Sequence, residues 1–190
     1  MKLNMGCGHN RMPGYVNVDA MAACSPDEVI DLETTPWPWP SDSVDEVRFV
    51  HSLEHMGGDP KVFLAMMQEL YRVCAPDCRI LIHVPHPRHD NFIGDPTHVR
   101  VISPKVLSLF DRRLNDEWKA NGGANSPLAH YTGVDFEIVA TETVIDQPYF
   151  GQFTAGTLSL EELNRLLSTQ NNIAREFRIT LRARKPTEVG

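Results

Sequence analysis

Short apolar runs separated by turn residues occupy the first half of the chain. The runs that we interpret as buried strands are residues 1–5, 15–18, 28–32, 43–50 and 79–84. Between the last two runs, apolar residues recur at helical spacing from Val62 to Val73. Asp59 and Pro60 are a favourable N-cap and first position for that helix, and Pro76 is expected to end it. The pattern predicts strands connected by at least one long helix.

The second half of the chain has a weaker pattern. We expect an irregular segment over 85–103, a short helix from Ser103 to about Phe110, and a polar, glycine-rich loop over 115–132. Alternation predicts strands at 136–144 and 176–184, with a capped helix at 159–167 between them. Strands that alternate with helices predict a single α/β domain over 1–190 with a mostly parallel sheet. We expect one of the last two strands to run antiparallel.

A glycine turn joins the first two predicted strands, and an acid closes the second. Gly6 and Gly8 allow the backbone to approach a ligand at a point where a Cβ atom would clash. Asp19 can accept hydrogen bonds from both hydroxyls of a ribose. The third glycine of a dinucleotide motif is replaced by Arg11, which argues against NAD. The pattern predicts a nucleoside site, and a purely structural turn is the alternative.

Composition narrows the class of protein and of partner. The chain has 190 residues and a formal net charge of −7, which argues against nucleic acid as a partner because nucleic-acid binding needs clustered Lys and Arg. No apolar run approaches the about 18 residues of a membrane span, and no signal-peptide region precedes the first strand. Four cysteines without a CxxC pair are typical of reduced thiols, so we expect a cytoplasmic protein.

The ordered segments of the first half resemble the class I S-adenosylmethionine-dependent methyltransferases, close to the methyltransferase type 11 group. The segments that carry the resemblance are LNMGCG at 3–8, VNVD at 16–19, DLE at 31–33, SVDEV with HSLEH at 43–55, and ELYRVCAPDCRILI at 69–82. The resemblance implies a Rossmann-like sheet and S-adenosylmethionine as the cofactor. The acceptor that we expect is a small molecule, a sugar or a peptide side chain.

The resemblance also implies a role for individual residues of this chain. Gly6, Cys7 and Gly8 would lie against the methionine part of the cofactor, and Asp19 would hold its ribose. The residues expected around the adenine are Asp31 and Leu32 on one side and His51, Ser52 and Leu53 on the other.

One feature departs from the family pattern. The family has a full helix between its first two strands, whereas only residues 6–14 are available here, and Pro13 lies among them. Because a parallel crossover normally takes a dozen or more residues, we expect a shortened first crossover without that helix. Arg11 lies in this loop and would supply positive charge to the carboxylate of the cofactor, or it is a surface arginine.

Histidines in two loops are the candidates for acceptor chemistry. His55 follows the fourth predicted strand, and Asp95 and His98 follow the fifth. Because ligands bind outside the carboxyl ends of parallel strands, we expect these loops to meet, with His55, Asp95 and His98 orienting the acceptor and removing its proton. The alternative is that Asp95 and His98 only tie the loop together.

Two other functions fit parts of the sequence. The first is a cofactor-binding partner protein without transferase activity, which the short chain and reduced first loop allow. The second is a metal-dependent hydrolase, for which the ligands would be His86, His89, Asp90, Asp95 and His98. Outside that hypothesis, the sequence predicts no metal site.

Overall fold

Seven strands form one sheet in the computed structural model, which describes residues 1–186. The strand order across the sheet is β3-β2-β1-β4-β5-β7-β6. The strands are β1 (Lys2–Met5), β2 (Val16–Asp19), β3 (Glu28–Val29), β4 (Val44–Val50), β5 (Cys74–Pro85), β6 (Phe136–Ile145) and β7 (Ala174–Ala183). Strands β1 to β5 pair in parallel, and β7 runs antiparallel to both β5 and β6. The predicted α/β class and the antiparallel strand near the C-terminus are therefore confirmed.

Seven α-helices lie within residues 1–186, of which the first, the third and the last begin at caps that the sequence predicts. They are α1 (Pro60–Val73), α2 (Asp90–Ile93), α3 (Pro104–Ser108), α4 (Arg112–Ala120), α5 (Leu128–Thr132), α6 (Tyr149–Thr154) and α7 (Leu160–Thr169). Asp59 accepts a hydrogen bond from the Lys61 amide at 2.7 Å, and Ser159 accepts one from the Glu162 amide at 3.1 Å. Each cap satisfies a backbone donor that the first turn of a helix leaves free.

The predicted loop at 115–132 is wrong, because α4 and α5 lie there. The buried residue of α4 is a polar one, Asn115. Its side-chain amide donates to the Leu109 carbonyl at 3.1 Å, and its oxygen accepts from the Ala129 amide at 3.1 Å. These hydrogen bonds attach α4 to α5, so the helix does not need an apolar stripe to pack. Because an apolar stripe is the pattern that predicts a helix, the sequence does not reveal this one.

The hydrophobic core lies against one face of the sheet. Adjacent strands align Met5, Phe49, Ile82 and Ile179 in one row across β1, β4, β5 and β7, and all four side chains are buried. The helices α1 and α3 supply the opposing apolar side chains, which include Phe63, Met66, Met67, Leu70 and Leu107.

The alternate positions of the same strands carry mostly polar side chains. Arg48 of β4 lies in a row with Leu81 and Thr180, and Glu46 lies in a row with Arg79 and Arg182. The side chains of Arg48 and Arg182 are 29% and 43% exposed. A sheet of parallel strands normally has both faces covered by helices and both faces apolar. The central strands of this sheet are apolar on one face only, and the other is polar and partly open to water.

The connections among the first four strands contain no α-helix. The β1–β2 connection is a loop, as the shortened crossover predicts, and the β2–β3 connection has only one 3-10 turn, at Ala22–Cys24. The β3–β4 connection buries Trp37 and Trp39, and Arg72 of α1 donates hydrogen bonds to both of their carbonyls. None of the helices within residues 1–186 is long and apolar enough to cross a membrane.

Candidate functional site

A cleft opens over the carboxyl ends of β1, β2, β3 and β4. It encloses about 440 Å³ of space, part of it open to solvent. Its lining consists of Gly6, Asp19, Ala20, Ile30, Asp31, Leu32, Glu33, His55 and Met56. Strands β1 and β4 are neighbours in the sheet but not in sequence, so the cleft lies where the chain direction across the sheet reverses. Open α/β sheets bind ligands at this position.

The turn after β1 requires glycine for two different reasons. Gly6 has φ +66°, and a Cβ atom there would lie 2.5 Å from the Cβ of Ser52. Gly8 has φ +51°, and a Cβ atom there would meet no atom within 4 Å. The first glycine therefore allows β1 and the loop after β4 to approach each other, whereas the second only allows the left-handed turn.

Asp19 organises this turn from the end of β2. Its Oδ2 atom accepts a hydrogen bond from the Gly8 amide at 2.8 Å, and its Oδ1 atom accepts one from the Met21 amide at 2.8 Å. A carboxylate has about four lone-pair sites, so each oxygen keeps capacity for a further donor. The carboxylate lies in the cleft lining and is suited to accept hydrogen bonds from two neighbouring hydroxyls.

The opposite wall of the cleft comes from the segment after β3. Asp31 accepts a hydrogen bond from the Glu33 amide at 2.9 Å and thereby fixes the turn. Glu33 accepts one from the Gly57 amide, which joins this wall to the loop after β4. Leu32 is buried and Ile30 lies beside it, so this wall offers apolar surface next to hydrogen-bonding groups.

Six of the residues predicted at the cofactor lie outside this lining, and one of them is Gly8, whose amide donates to Asp19 at 2.8 Å. Cys7 is buried, and its thiol donates to the Gly8 carbonyl at 3.4 Å. Arg11 pairs with Asp27 beside a separate depression next to the β1–β2 loop. Of the three residues at 51–53, His51 binds Glu176 at 2.9 Å, Ser52 donates to the Met5 carbonyl at 2.8 Å, and Leu53 belongs to the core.

The loops after β4 and β5 meet at the edge of the cleft, and the three predicted acceptor-side residues come together there. The rings of His55 and His98 are 4.5 Å apart, and the His98 ring stacks on Phe92 at 5.2 Å. Thr97 connects His55 to Asp95, with its Oγ1 atom 2.9 Å from His55 Nδ1 and 2.6 Å from Asp95 Oδ1. The hydrogen bonds from Thr97 lower the pKa of Asp95 below its usual value.

The sequence does not predict a role for Glu54, a buried acid between the loops that carry His55 and His98. Glu54 is 1% exposed, and neither of its carboxylate oxygens has a hydrogen-bond partner among residues 1–186. His51 Nδ1 lies 3.7 Å and His98 Nε2 lies 4.0 Å from its Oε1 atom. The Glu54 carboxylate, together with that of Glu176, raises the pKa of His51. The cue in the sequence is the Glu-His pair in the loop after the fourth predicted strand.

The other histidines of this region lie apart from the cluster. His89 pairs with Asp146 at 3.0 Å, and His86 packs on Phe177 at 4.7 Å between ring centres. The Asp90 amide donates to Asn172 at 2.8 Å. Within residues 1–186, none of His86, His89 and Asp90 joins a group with metal-ligand geometry, so the structure does not favour the metal-dependent hydrolase.

Comparison with known proteins identifies the fold. No protein-family model and no curated protein matches the sequence. A SAM-dependent methyltransferase from Archaeoglobus fulgidus has a similar structure, with a TM-score of 0.61 and 19% identity over 95% of this chain and 85% of that chain. One from Methanosarcina mazei has a TM-score of 0.55 and 13% identity over 97% of this chain and 92% of that chain. The [4+2]-cyclase SpnF has a TM-score of 0.53 and 14% identity over 97% and 75% of the respective chains. At these identities the comparisons show the fold, which is that of the class I methyltransferases.

Proposed function

We propose that this chain is an S-adenosylmethionine-dependent methyltransferase. The observation that carries the proposal is the position of Asp19. Its carboxylate holds the Gly6–Gly8 turn and lines a cleft at the reversal point of a class I methyltransferase sheet. When bound, the cofactor supplies an activated methyl group on a sulfonium, so the protein has to bind the cofactor and position an acceptor.

The cleft divides into parts that suit the parts of the cofactor. Asp19 would accept hydrogen bonds from the ribose hydroxyls. Ile30 and Leu32 offer apolar surface for the adenine, with Asp31 at its edge. Gly6 and Gly8 would lie beside the methionine part. Because Arg11 already pairs with Asp27, its contact with the cofactor carboxylate is the prediction that this arrangement supports least.

The acceptor would enter beside His55, which lines the cleft and is exposed. Asp95 orients His55 through Thr97, and His98 packs behind it. We propose that this cluster orients the acceptor and promotes loss of its proton. A cleft at the protein surface and a net charge of −7 favour a small molecule, a sugar or a peptide side chain. The four free cysteines favour a reducing compartment, and we propose the cytoplasm.

Calorimetry with S-adenosylmethionine and S-adenosylhomocysteine tests the cofactor assignment. We expect micromolar binding to the wild-type chain and a loss of roughly 1.5–3 kcal/mol in Asp19→Ala, the range for hydrogen bonds to a charged group. Asp116→Ala is the matched control, since Asp116 is an exposed acid on α4 that pairs with His130. Absence of binding to the wild type, or equal affinities in both variants, would contradict the proposal.

A second measurement separates methyl transfer from cofactor binding alone. Because SpnF shares this fold and is named a cyclase, the fold does not by itself specify transfer. An acceptor screen that detects S-adenosylhomocysteine formation would support the transferase. Cofactor binding without product for any acceptor class would favour the cofactor-binding partner protein.

A further inference from the structure

Glu54 presents an electrostatic problem that the proposed function does not solve. Its carboxylate is 1% exposed, and no donor among residues 1–186 forms a hydrogen bond with either oxygen. Removing an ionised carboxylate from water costs several kcal/mol unless a cation or hydrogen-bond donors compensate it. The groups that face it are histidines: His51 Nδ1 lies 3.7 Å and His98 Nε2 lies 4.0 Å from its Oε1 atom, and a ring nitrogen of His55 lies within 4.8 Å of a carboxylate oxygen.

The hydrogen bonds of His98 determine which of its nitrogens carries the proton. His98 Nδ1 lies 2.9 Å from the Phe92 carbonyl, which can only accept, so Nδ1 donates. The neutral ring therefore has its lone pair on Nε2. That atom faces two carboxylates, with Glu54 Oε1 at 4.0 Å and Asp95 Oδ2 at 3.8 Å. A lone pair directed at two negative groups is unfavourable unless a proton on Nε2 or a metal ion lies among them.

The same argument applies to His55. Thr97 has one hydroxyl proton, and it donates that proton to Asp95 Oδ1 at 2.6 Å. The Thr97 oxygen must therefore accept from His55 Nδ1 at 2.9 Å. The lone pair of the neutral His55 ring is on Nε2, as it is in His98. The cluster thus offers two imidazole lone pairs and one carboxylate that lacks a partner.

We propose that Glu54, His55 and His98 bind a divalent transition-metal ion. One possible ligand atom from each residue lies within 4.8 Å of the other two. Ligands at about 2.1 Å from a tetrahedral ion are about 3.4 Å apart, so small side-chain rotations would complete the site. Two imidazoles and a carboxylate suit Zn²⁺, Fe²⁺ or Mn²⁺ better than Mg²⁺ or Ca²⁺, which prefer oxygen ligands.

The surroundings of the three residues also have the features of a metal site. Metal-ligating histidines usually donate their other ring nitrogen to a carbonyl or a carboxylate, which fixes the ring. His98 donates to the Phe92 carbonyl, and His55 donates to Asp95 through Thr97. The amides of Val99 and Arg100 donate to the Glu54 carbonyl at 3.0 and 3.1 Å, so the loop that carries His98 is fixed on Glu54.

The position of this site gives it a role in the proposed reaction. His55 lines the cleft, so an ion held there would have an open position toward the acceptor. A divalent ion that binds a hydroxyl lowers its pKa and favours the alkoxide or phenolate nucleophile. If the proposed methyl transfer is correct, the site favours a hydroxyl acceptor, with His55 acting as a ligand. The metal site itself does not depend on that reaction.

Metal titration of the whole chain tests the site without any acceptor. After treatment with a chelator, the protein is titrated with Zn²⁺, Mn²⁺ and Mg²⁺ by calorimetry. We expect one Zn²⁺ per chain at micromolar affinity or tighter, and binding of Mg²⁺ at least about 100-fold weaker. Glu54→Gln, His55→Gln and His98→Asn should each weaken Zn²⁺ by about 100-fold or more, because each removes one of three ligands.

Two controls keep this test decisive. His130→Gln removes an exposed histidine that pairs with Asp116 outside the cluster, and it should change Zn²⁺ affinity by less than about twofold. His55 is exposed, so His55→Gln tests the site even where a change at the buried Glu54 prevents folding. The visible absorption of bound Co²⁺ should also be lost in His55→Gln.

The alternative account is that protonated His51 or protonated His98 neutralises Glu54 and no metal binds. Absence of Zn²⁺ and Mn²⁺ binding to the wild type, or Zn²⁺ affinity that His55→Gln leaves unchanged, would overturn the proposal. Binding of S-adenosylmethionine is measured separately. Cofactor binding without metal binding rejects only the metal site, and metal binding without cofactor binding rejects only the proposed function.

Discussion

Replacing Gly6 by alanine tests the contact on which the cleft is built. The added Cβ atom would lie 2.5 Å from the Ser52 Cβ, 3.0 Å from its Oγ and 3.2 Å from the Met56 Cε. The Met56 Cε atom is the end of a flexible side chain and can move. Ser52 is buried and its hydroxyl donates to the Met5 carbonyl at 2.8 Å, so it cannot move away without separating β1 from the loop after β4.

The expected cost has two parts, and Gly8 separates them. A non-glycine residue in the left-handed region costs about 1–2 kcal/mol, and both glycines have such a φ angle. Overpacking adds about 1–3 kcal/mol, and only Gly6 has a neighbour for its Cβ atom to overlap. We therefore expect Gly6→Ala to lower the free energy of unfolding by about 2–5 kcal/mol, and Gly8→Ala by about 1–2 kcal/mol.

Urea unfolding, followed by tryptophan fluorescence and circular dichroism, measures the difference between the two variants. A double variant, Gly6→Ala with Ser52→Gly, removes the overlapping Cβ atom and should show a favourable coupling energy of about 1 kcal/mol or more. Ser52→Ala keeps that Cβ atom, so its combination with Gly6→Ala should show no such recovery. Equal losses in Gly6→Ala and Gly8→Ala would refute the close approach of β1 and the loop at Ser52.

The remaining predictions concern two ion pairs. Arg184 donates to Asp111 at 2.6 Å and to Asp135 at 2.7 Å. Arg184→Met should therefore lower the free energy of unfolding by about 3 kcal/mol. This is the lower end of the range for a buried pair, and we choose it because Arg184 is partly exposed. In urea unfolding, Arg165→Met is the control at a surface pair and should cost less than about 1 kcal/mol. The hydrogen bond from Arg72 lowers the pKa of Glu69, so this pair stabilises the fold above the unfolded-state pKa of about 4.3, and that stability is lost as the pH falls through the folded-state pKa. Glu69→Gln should therefore make the urea midpoint less dependent on pH below about pH 5, and an unchanged slope would contradict the assignment.

The periodic part of the sequence predicts the sheet well, because burial and periodicity coincide there. Strands β1, β2, β4 and β7 lie within one or two residues of their predicted positions. The long helix ends at Val73, next to the predicted stop at Ala75–Asp77, but β5 begins at Cys74 and not at Arg79 as predicted. Pro76 lies where the pairing of β4 with β5 shifts register, between Val44 and Glu46, so a residue that disfavours a regular strand sits at an irregularity.

Some features of the candidate site can be predicted from the sequence, and others need the three-dimensional structure. Gly6, Asp19 and His55 are recognisable because each follows a predicted strand, and the carboxyl ends of parallel strands share one edge. Glu54 lies in the same loop as His55, but only the structure shows that its carboxylate lacks a hydrogen-bond partner among residues 1–186. Arg11 and Cys7 lie in the predicted loop after β1, but the sequence does not show where their side chains point. Arg11 points to Asp27, which is distant in sequence, and Cys7 is buried by the packing of the core.

The polar face of the sheet changes which substitutions the central strands tolerate. On β4, Val47 and Phe49 are buried, whereas Glu46 and Arg48 are partly exposed and contact side chains of the sheet and of the β1–β2 loop. Sequence change along such a strand is therefore most constrained at the buried apolar positions, and exchange of one polar side chain for another is easier at the partly exposed positions between them. A strand of an ordinary class I sheet, covered on both sides, lacks this freedom. The same domain thus offers a surface that selection or design can rewrite without repacking the core.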